Sequence, residues 1–196
     1  GNVLIVISVL EKKTSILSML KNWLFVYIGN FLGALFVAAM VTYGHVPDLF
    51  HGDLAGGIIT SAVTRTSMSF SDSFIKGILC NILVCLAVLL AGVCQDAIGK
   101  IFACFFPIWA FVVGGYEHCV ANMYYIPAGL LAKQVEAYYN AAIMAGMTPE
   151  QLDSMTISGF LVDNLIPVTL GNIVGGIVFV ALPLYLVYRN KKNETA

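Results

Sequence analysis

Charge is what this sequence has least of. Of 196 residues only 10 are Lys or Arg and 11 are Asp or Glu, 11% together, where soluble domains carry about 25%. That excludes an ordinary water-soluble globule. A net charge of −1 supplies no basic field to hold nucleic acid. Histidine is down to three residues, His45, His51 and His118. The five cysteines, Cys80, Cys85, Cys94, Cys104 and Cys119, form no Cys-x-x-Cys pair and have no histidine at ligand spacing. A metal box or disulfide framework is therefore set aside, and the thiols are read as buried small apolar side chains. No cofactor is implied: neither a phosphate-cradling loop nor a nucleophile constellation occurs.

What is present is hydrocarbon. Hydrophobic residues make up 59% of the chain and the mean hydropathy is +0.88. Apolar runs of the length that crosses a bilayer as a helix, about 20 residues, cover 19–43, 74–94, 101–131 and 157–188, after a shorter one at 1–10. The expected fold is all-α, a polytopic membrane protein forming one transmembrane domain over 1–196. The opening, Gly1-Asn2-Val3-Leu4-Ile5, has no Met and is read as the remainder of a helix that began earlier.

Loop charge orients the passages, because basic residues in short loops stay cytoplasmic. Lys12, Lys13, Lys21, Lys100, Arg189, Lys191 and Lys192 fall in one set of connections and the C-terminal tail. The alternate connections carry Asp48, Asp53 and Asp72 against Arg65, then Glu136, Glu150 and Asp153 against Lys133. The C-terminus is expected in the cytoplasm, and the segment Gln134 to Asp153 is read as an external loop with a short helix.

Two stretches repeat. "NWLFVYIGNFLG" (22–33) and "NLIPVTLGNIVG" (164–175) share Asn, Gly, Asn and Gly at identical offsets. Since the passages alternate, the copies should run in opposite senses, the inverted-repeat plan of many transporters and channels. "GNV" at Gly1 is a weaker counterpart of "ANM" at Ala121, which would make the whole protein three helices plus three, with about four and a half present here. Glycines at four-residue spacing let helix backbones approach closely, and Asn30 and Asn172 are expected to hydrogen-bond between helices.

The run 101–131 is too long for one ordinary crossing, about 46 Å at 1.5 Å per residue. Near its middle stands "GGYEHCVANM" (114–123), and each Gly costs a helix about 1 kcal/mol relative to Ala. A break is expected, and irregular backbone at membrane depth survives only if buried in protein or lining a cavity. Glu117 and His118 lie in it, and intramembrane ionisable groups are functional candidates by default. His118 could hydrogen-bond or protonate a passing anion, or tie down a backbone carbonyl. Glu117 reads as a fixer of geometry, because a carboxylate on the path would repel anions. Asn122 would open the second half-helix, as a cap or as part of the path.

"GGYEHCVANMYYIPAG", "KGILCNILVCLAV" (76–88) and "DNLIPVTLGNIVGG" (163–176) closely resemble the formate/nitrite transporter family, which includes formate, nitrite and hydrosulfide channels. The resemblance implies an aquaporin-like fold of six helices with the second and fifth broken, assembled as a homopentamer with one pore per subunit. It implies that His118 is the central pore histidine, Asn81 the polar residue near it on the fourth helix, and Phe111 an outer hydrophobic constriction. It places Arg65 where family members usually carry a vestibule lysine; a guanidinium keeps the charge but is almost never deprotonated. A solvated loop cation is the plainer reading of Arg65, and Lys76 reads as an interfacial anchor.

The expected function is a channel in the cytoplasmic membrane for small monovalent weak-acid anions, formate favoured, coupled to protons through His118, with hydrosulfide or nitrite as alternatives. A neutral-solute pore of the glycerol type is the alternative class, though the paired Asn-Pro-Ala signatures are absent. An enzyme using Glu117 and His118 as an acid/base pair is the third, and no surrounding chemistry supports it.

Overall fold

The computed structural model describes residues 2–194, with side chains through Arg189. Gly1, used above in the repeat, and the side chains of Lys191 and Lys192, counted in the tail, lie outside the described residues. The elements are α1 (Asn2–Leu10), α2 (Ile16–Tyr43), a 3₁₀ segment (Val46–Gly52), α3 (Asp53–Thr66), α4 (Phe70–Val93), α5 (Ala97–Val113), α6 (Cys119–Ala132), α7 (Glu136–Met144), α8 (Pro149–Ser154), a π segment (Gly159–Leu165), α9 (Ile166–Gly176), a second π segment (Ile177–Ala181) and α10 (Leu182–Glu194). The fold is all-helical, with no strand among the described residues. Among them, three helices are long and apolar enough to cross a membrane: Ile16–Tyr43, Phe70–Val93 and the continuous stretch Gly159–Arg189.

Prolines shape that last stretch. A helical proline removes an N–H donor and drives its ring toward the carbonyl four residues back. Those carbonyls belong to Asp163 for Pro167 and Phe179 for Pro183, and each lies inside one of the π segments. A widened turn at that point moves the obstructing carbonyl aside, a common use of a π-bulge.

The chain divides into two compact units. The first contains Gly1–Val26, Phe74–His118 and Thr169–Ala196. Its apolar centre is Val6, Met19 and Ala181, flanked by Trp23 and Ile177. The second contains Tyr27–Ser73 and Cys119–Val168. There α3 packs on α6, α7 and α8 through Ala55, Ile59, Ala62, Tyr138, Ala142, Leu152 and Met155, and a second cluster joins Met123, Ile126, Phe160 and Leu165.

The segment expected to be an external loop with one short helix is two helices, α7 and α8, built into the second unit. Leu152 and Met155 are fully buried, and Lys133 Nζ donates to the carbonyls of Leu152 and Met155 at 2.9 and 2.7 Å. That cation meets the open carbonyls of α8's last turn, where positive charge is favoured.

The cysteines depart in part from the expectation of burial. Cys80 and Cys85 are buried, Cys94 and Cys119 half-buried, and Cys104 is exposed on α5.

Candidate permeation site

The break in the long apolar run is real and compact. α5 ends at Val113; Gly114 follows in the right-handed region and Gly115 turns left-handed with φ +64°. Tyr116 N donates to Phe111 O at 3.0 Å and Gly115 N to Val112 O at 3.1 Å, the two reversed bonds of a Schellman ending that meet otherwise orphaned carbonyls. The two glycines thus have different reasons. At Gly115 the backbone itself favours glycine, while at Gly114 a Cβ would stand 3.0 Å from the Ala110 carbonyl and 3.2 Å from the Tyr116 ring.

Beyond the turn the backbone is tied to neighbouring helices of the first unit. Glu117 N donates to Lys76 O of α4 at 3.4 Å. Glu117 O accepts from Asn172 Nδ2 of α9 at 3.0 Å, and the same Nδ2 donates to Gly77 O at 2.8 Å. Asn81 Nδ2 in turn donates to Asn172 O at 2.5 Å. Asn172 is thus a hub binding α4, α9 and the break, meeting the demand that irregular backbone in an apolar setting be satisfied. The Glu117 side chain is buried at 3% exposure. His118, half-buried, turns its ring toward Phe111, centroids 6.1 Å apart and planes 29° from parallel.

This approach is possible because α9 lies backbone to backbone against α4. A Cβ on Gly171 would run into the Phe74 carbonyl and stand 3.1 Å from Gly77 Cα; one on Gly175 would run into the Ile78 carbonyl and stand 3.1 Å from Ile78 Cα. Asn172 lies between the two glycines, so its short side chain reaches α4's main chain.

In the second unit Arg65 is part of the last turn of α3, not of a loop, and it is half-buried. Its Nη1 donates to Ser61 O at 2.9 Å and Ser61 Oγ at 2.5 Å, and its guanidinium stands 4.6 Å over the Tyr125 ring, a cation–π contact. Asn164 Nδ2 donates to the Arg65 carbonyl at 2.9 Å while Asn164 Oδ1 accepts from Asn122 Nδ2 at 2.8 Å. Asn122 therefore lies a turn inside α6, which begins at Cys119, and does not open the half-helix as expected. A nearby depression of about 300 Å³, lined by Thr66, Met68, Phe70, Val162, Asp163 and Ile166, carries an acidic group and so does not suit an anion.

Of the sequence-derived candidates, Phe111, Glu117, His118 and Asn81 belong to the first unit, with Asn172 linking Asn81 to the Glu117 backbone. Arg65 and Asn122 belong to the second, linked by Asn164. Sequence reasoning missed Tyr125 as the platform under Arg65; Tyr124-Tyr125 beside the "ANM" motif was the available signal. Among the described residues, no group of three or more His, Cys, Asp or Glu side chains is placed to hold a metal.

Membrane-length helices, an apolar helix interrupted around a Glu-His pair and an Asn-Gly repeat define a multi-pass membrane protein. Comparison with known proteins gives the particular family. Residues 1–186 match the family described as formate/nitrite transporter, and the chain belongs to it. The chain is similar to the formate channel FocA of Haemophilus influenzae, 37% identical over 84% of this chain and 57% of that protein. It is also similar to FocA of Escherichia coli K12, 33% identical over 99% and 68%. Among solved structures it resembles a pentameric formate channel with formate bound, with a TM-score of 0.79, 33% identity and coverage of 87% of this chain and 67% of that one. The chain therefore spans between 57% and 68% of the length of these relatives.

Proposed function

We propose that the intact protein is a channel for small monovalent weak-acid anions, formate first among them, that assembles as a homopentamer in the cytoplasmic membrane with its C-terminus inside. The observation that carries this reading is the broken helix that sets His118 against Phe111 on a backbone whose polar groups are held by Asn172. An apolar ring beside an imidazole suits a small anion that must shed water and find one hydrogen-bond donor. Burying a monovalent ion in low dielectric is costly, so a weak acid crosses more cheaply if it is protonated on the way. In this reading His118 exchanges that proton, and Arg65 adds a fixed positive charge that concentrates anions. Glu117, with its backbone held between α4 and α9, fixes the break and does not line the path.

Reconstitution of the intact protein in liposomes tests this. Formate flux should exceed glycerol flux and rise as pH falls, and His118→Asn should remove the pH dependence and slow proton-coupled flux about 10²-fold, the lower range for a lost general acid. Glycerol swelling equal to formate uptake would move the assignment to a neutral-solute pore, and pH-independent transport undiminished in His118→Asn would remove the histidine's role. Parallel nitrite and hydrosulfide uptake ranks the substrate alternatives.

A further inference from the structure

Arg65 is held from more than one side, and one of the holds is the face of an aromatic ring. Its Nη1 donates to Ser61 O and Ser61 Oγ one turn back on α3, Asn164 Nδ2 donates to its carbonyl, and its guanidinium stands over the Tyr125 ring of α6. A glycine sets the spacing of that last contact. A Cβ on Gly129 would run into Ala62 Cβ and stand 3.5 Å from Ile58 O, so α3 and α6 approach there with no room for a side chain between them. Arg65 lies three residues after Ala62 (65 − 62) and Tyr125 four before Gly129 (129 − 125), one helical turn from that contact on each helix. The packing of the two helices therefore carries the ring to the guanidinium. All of these groups belong to the second unit.

A carboxylate lies at the same end of α3. Asn164 is bonded to the Arg65 carbonyl, its neighbour Asp163 is exposed, and Asp163 lines one depression with Thr66. An arginine side chain is long and flexible, and its planar fork pairs readily with a carboxylate within reach. A guanidinium paired with Asp163 would offer a passing anion no net charge. The face of Tyr125 attracts the cation without cancelling that charge.

We infer that Tyr125 is a positioning residue, which holds the Arg65 guanidinium off Asp163 and directs its charge to approaching anions. The inference rests on the anion-channel reading, in which Arg65 concentrates anions ahead of the apolar passage. Because capture precedes passage, the stack acts on the concentration at which flux half-saturates and leaves maximal flux alone.

The test measures formate uptake by the intact protein in liposomes, with Tyr125→Phe and then with mono-, di- and trifluorinated phenylalanine at the same position. Fluorine withdraws electron density from the ring face that draws the cation and adds little bulk, so a ring that serves only as packing does not register it. Half-saturation should match the parent in Tyr125→Phe and rise stepwise to about 5-fold with the trifluorinated ring, at unchanged maximal flux. Tyr125→Leu should show at least the same rise. Asp163→Asn, silent in the parent, should bring Tyr125→Leu back toward the parental half-saturation, a non-additivity that marks the two side chains as acting on one group. A flat response along the fluorinated series, or a Tyr125→Leu defect that Asp163→Asn leaves in place, overturns the inference while formate transport by the parent stands. A parent that carries no formate overturns the anion-channel reading, and this inference with it.

Discussion

The α2 copy and the α9 copy of the repeat carry the same four residues in opposite surroundings. On α9, Gly171 and Gly175 admit the α4 main chain so closely that no side chain could be added, and Asn172 is 5% exposed with its amide committed. On α2 the same spacing meets open space. A glycine pair with an asparagine between therefore encodes a surface on which a helix can sit, while the partner is encoded elsewhere. The comparison also separates two roles that a motif merges: the glycines set distance, and the asparagine decides whether the approaching backbone is hydrogen-bonded or only touched.

The largest effect should come from filling the covered seat. Gly175→Leu drives a branched side chain into the Ile78 carbonyl, and α4 cannot retreat without losing the Asn172 and Asn81 bonds. Overpacking of this kind costs roughly 1–3 kcal/mol or more, so loss of the folded species on detergent size-exclusion chromatography is the expected outcome. Gly57→Leu, where a Cβ meets nothing within 4 Å, is the control and should elute as the parent. Equal tolerance at both positions would mean that the α4–α9 approach is looser than described.

Next comes the asparagine itself. Asn172→Ala leaves the carbonyls of Gly77 and Glu117 without this donor, at a cost of about 1–3 kcal/mol for a buried group left unmet. Because Glu117 precedes His118, the loss should also loosen the break: hydrogen exchange at Tyr116 and Glu117 should rise more than at the ends of α5. If exchange rises evenly along α5, the hub is a general packing residue, and its tie to the break is incidental.

How much of this could be read from residues alone follows the range of the interactions. The break was legible because Gly114-Gly115 is a local cost within a run too long for one crossing, and its position needed no tertiary information. The repeat was legible because Asn and Gly recur at fixed offsets. What the repeat does was not: the bond from Asn172 to Glu117 spans 55 residues and the one from Asn122 to Asn164 spans 42, and single-chain spacing says nothing of such partners. "TRTSMSF" looks like a polar connection, which is why the residues alone put Arg65, as vestibule or solvated cation, in a loop. The helix nevertheless runs through Thr66, with the Thr64 and Thr66 hydroxyls turned back to the carbonyls of Thr60 and Ala62, as Ser and Thr inside helices often do. For α7 and α8, moderate polarity concealed the core positions Tyr138, Ala142 and Leu152.

Those two helices are the part of the second copy that the first lacks, and they hold the smallest predicted effect. Tyr138 Oη donates to Asp48 Oδ1 at 2.5 Å, joining α7 to the 3₁₀ segment after α2, outside the membrane-length helices. The hydrogen bond to the Asp48 carboxylate, together with burial and that same negative charge, raises the Tyr138 pKa above its ordinary value. Because the folded-state pKa is the higher one, the contribution to stability is complete below the unfolded tyrosine pKa, about 10, and is lost as pH rises through the raised value. Tyr138→Phe should therefore cost about 0.5–1.5 kcal/mol at neutral pH, and thermal unfolding of the two proteins should converge above about pH 10. A gap between them that stays constant to pH 11 would show that the hydroxyl acts through packing alone, leaving the α7–α8 insertion fastened by its apolar core and by Lys133.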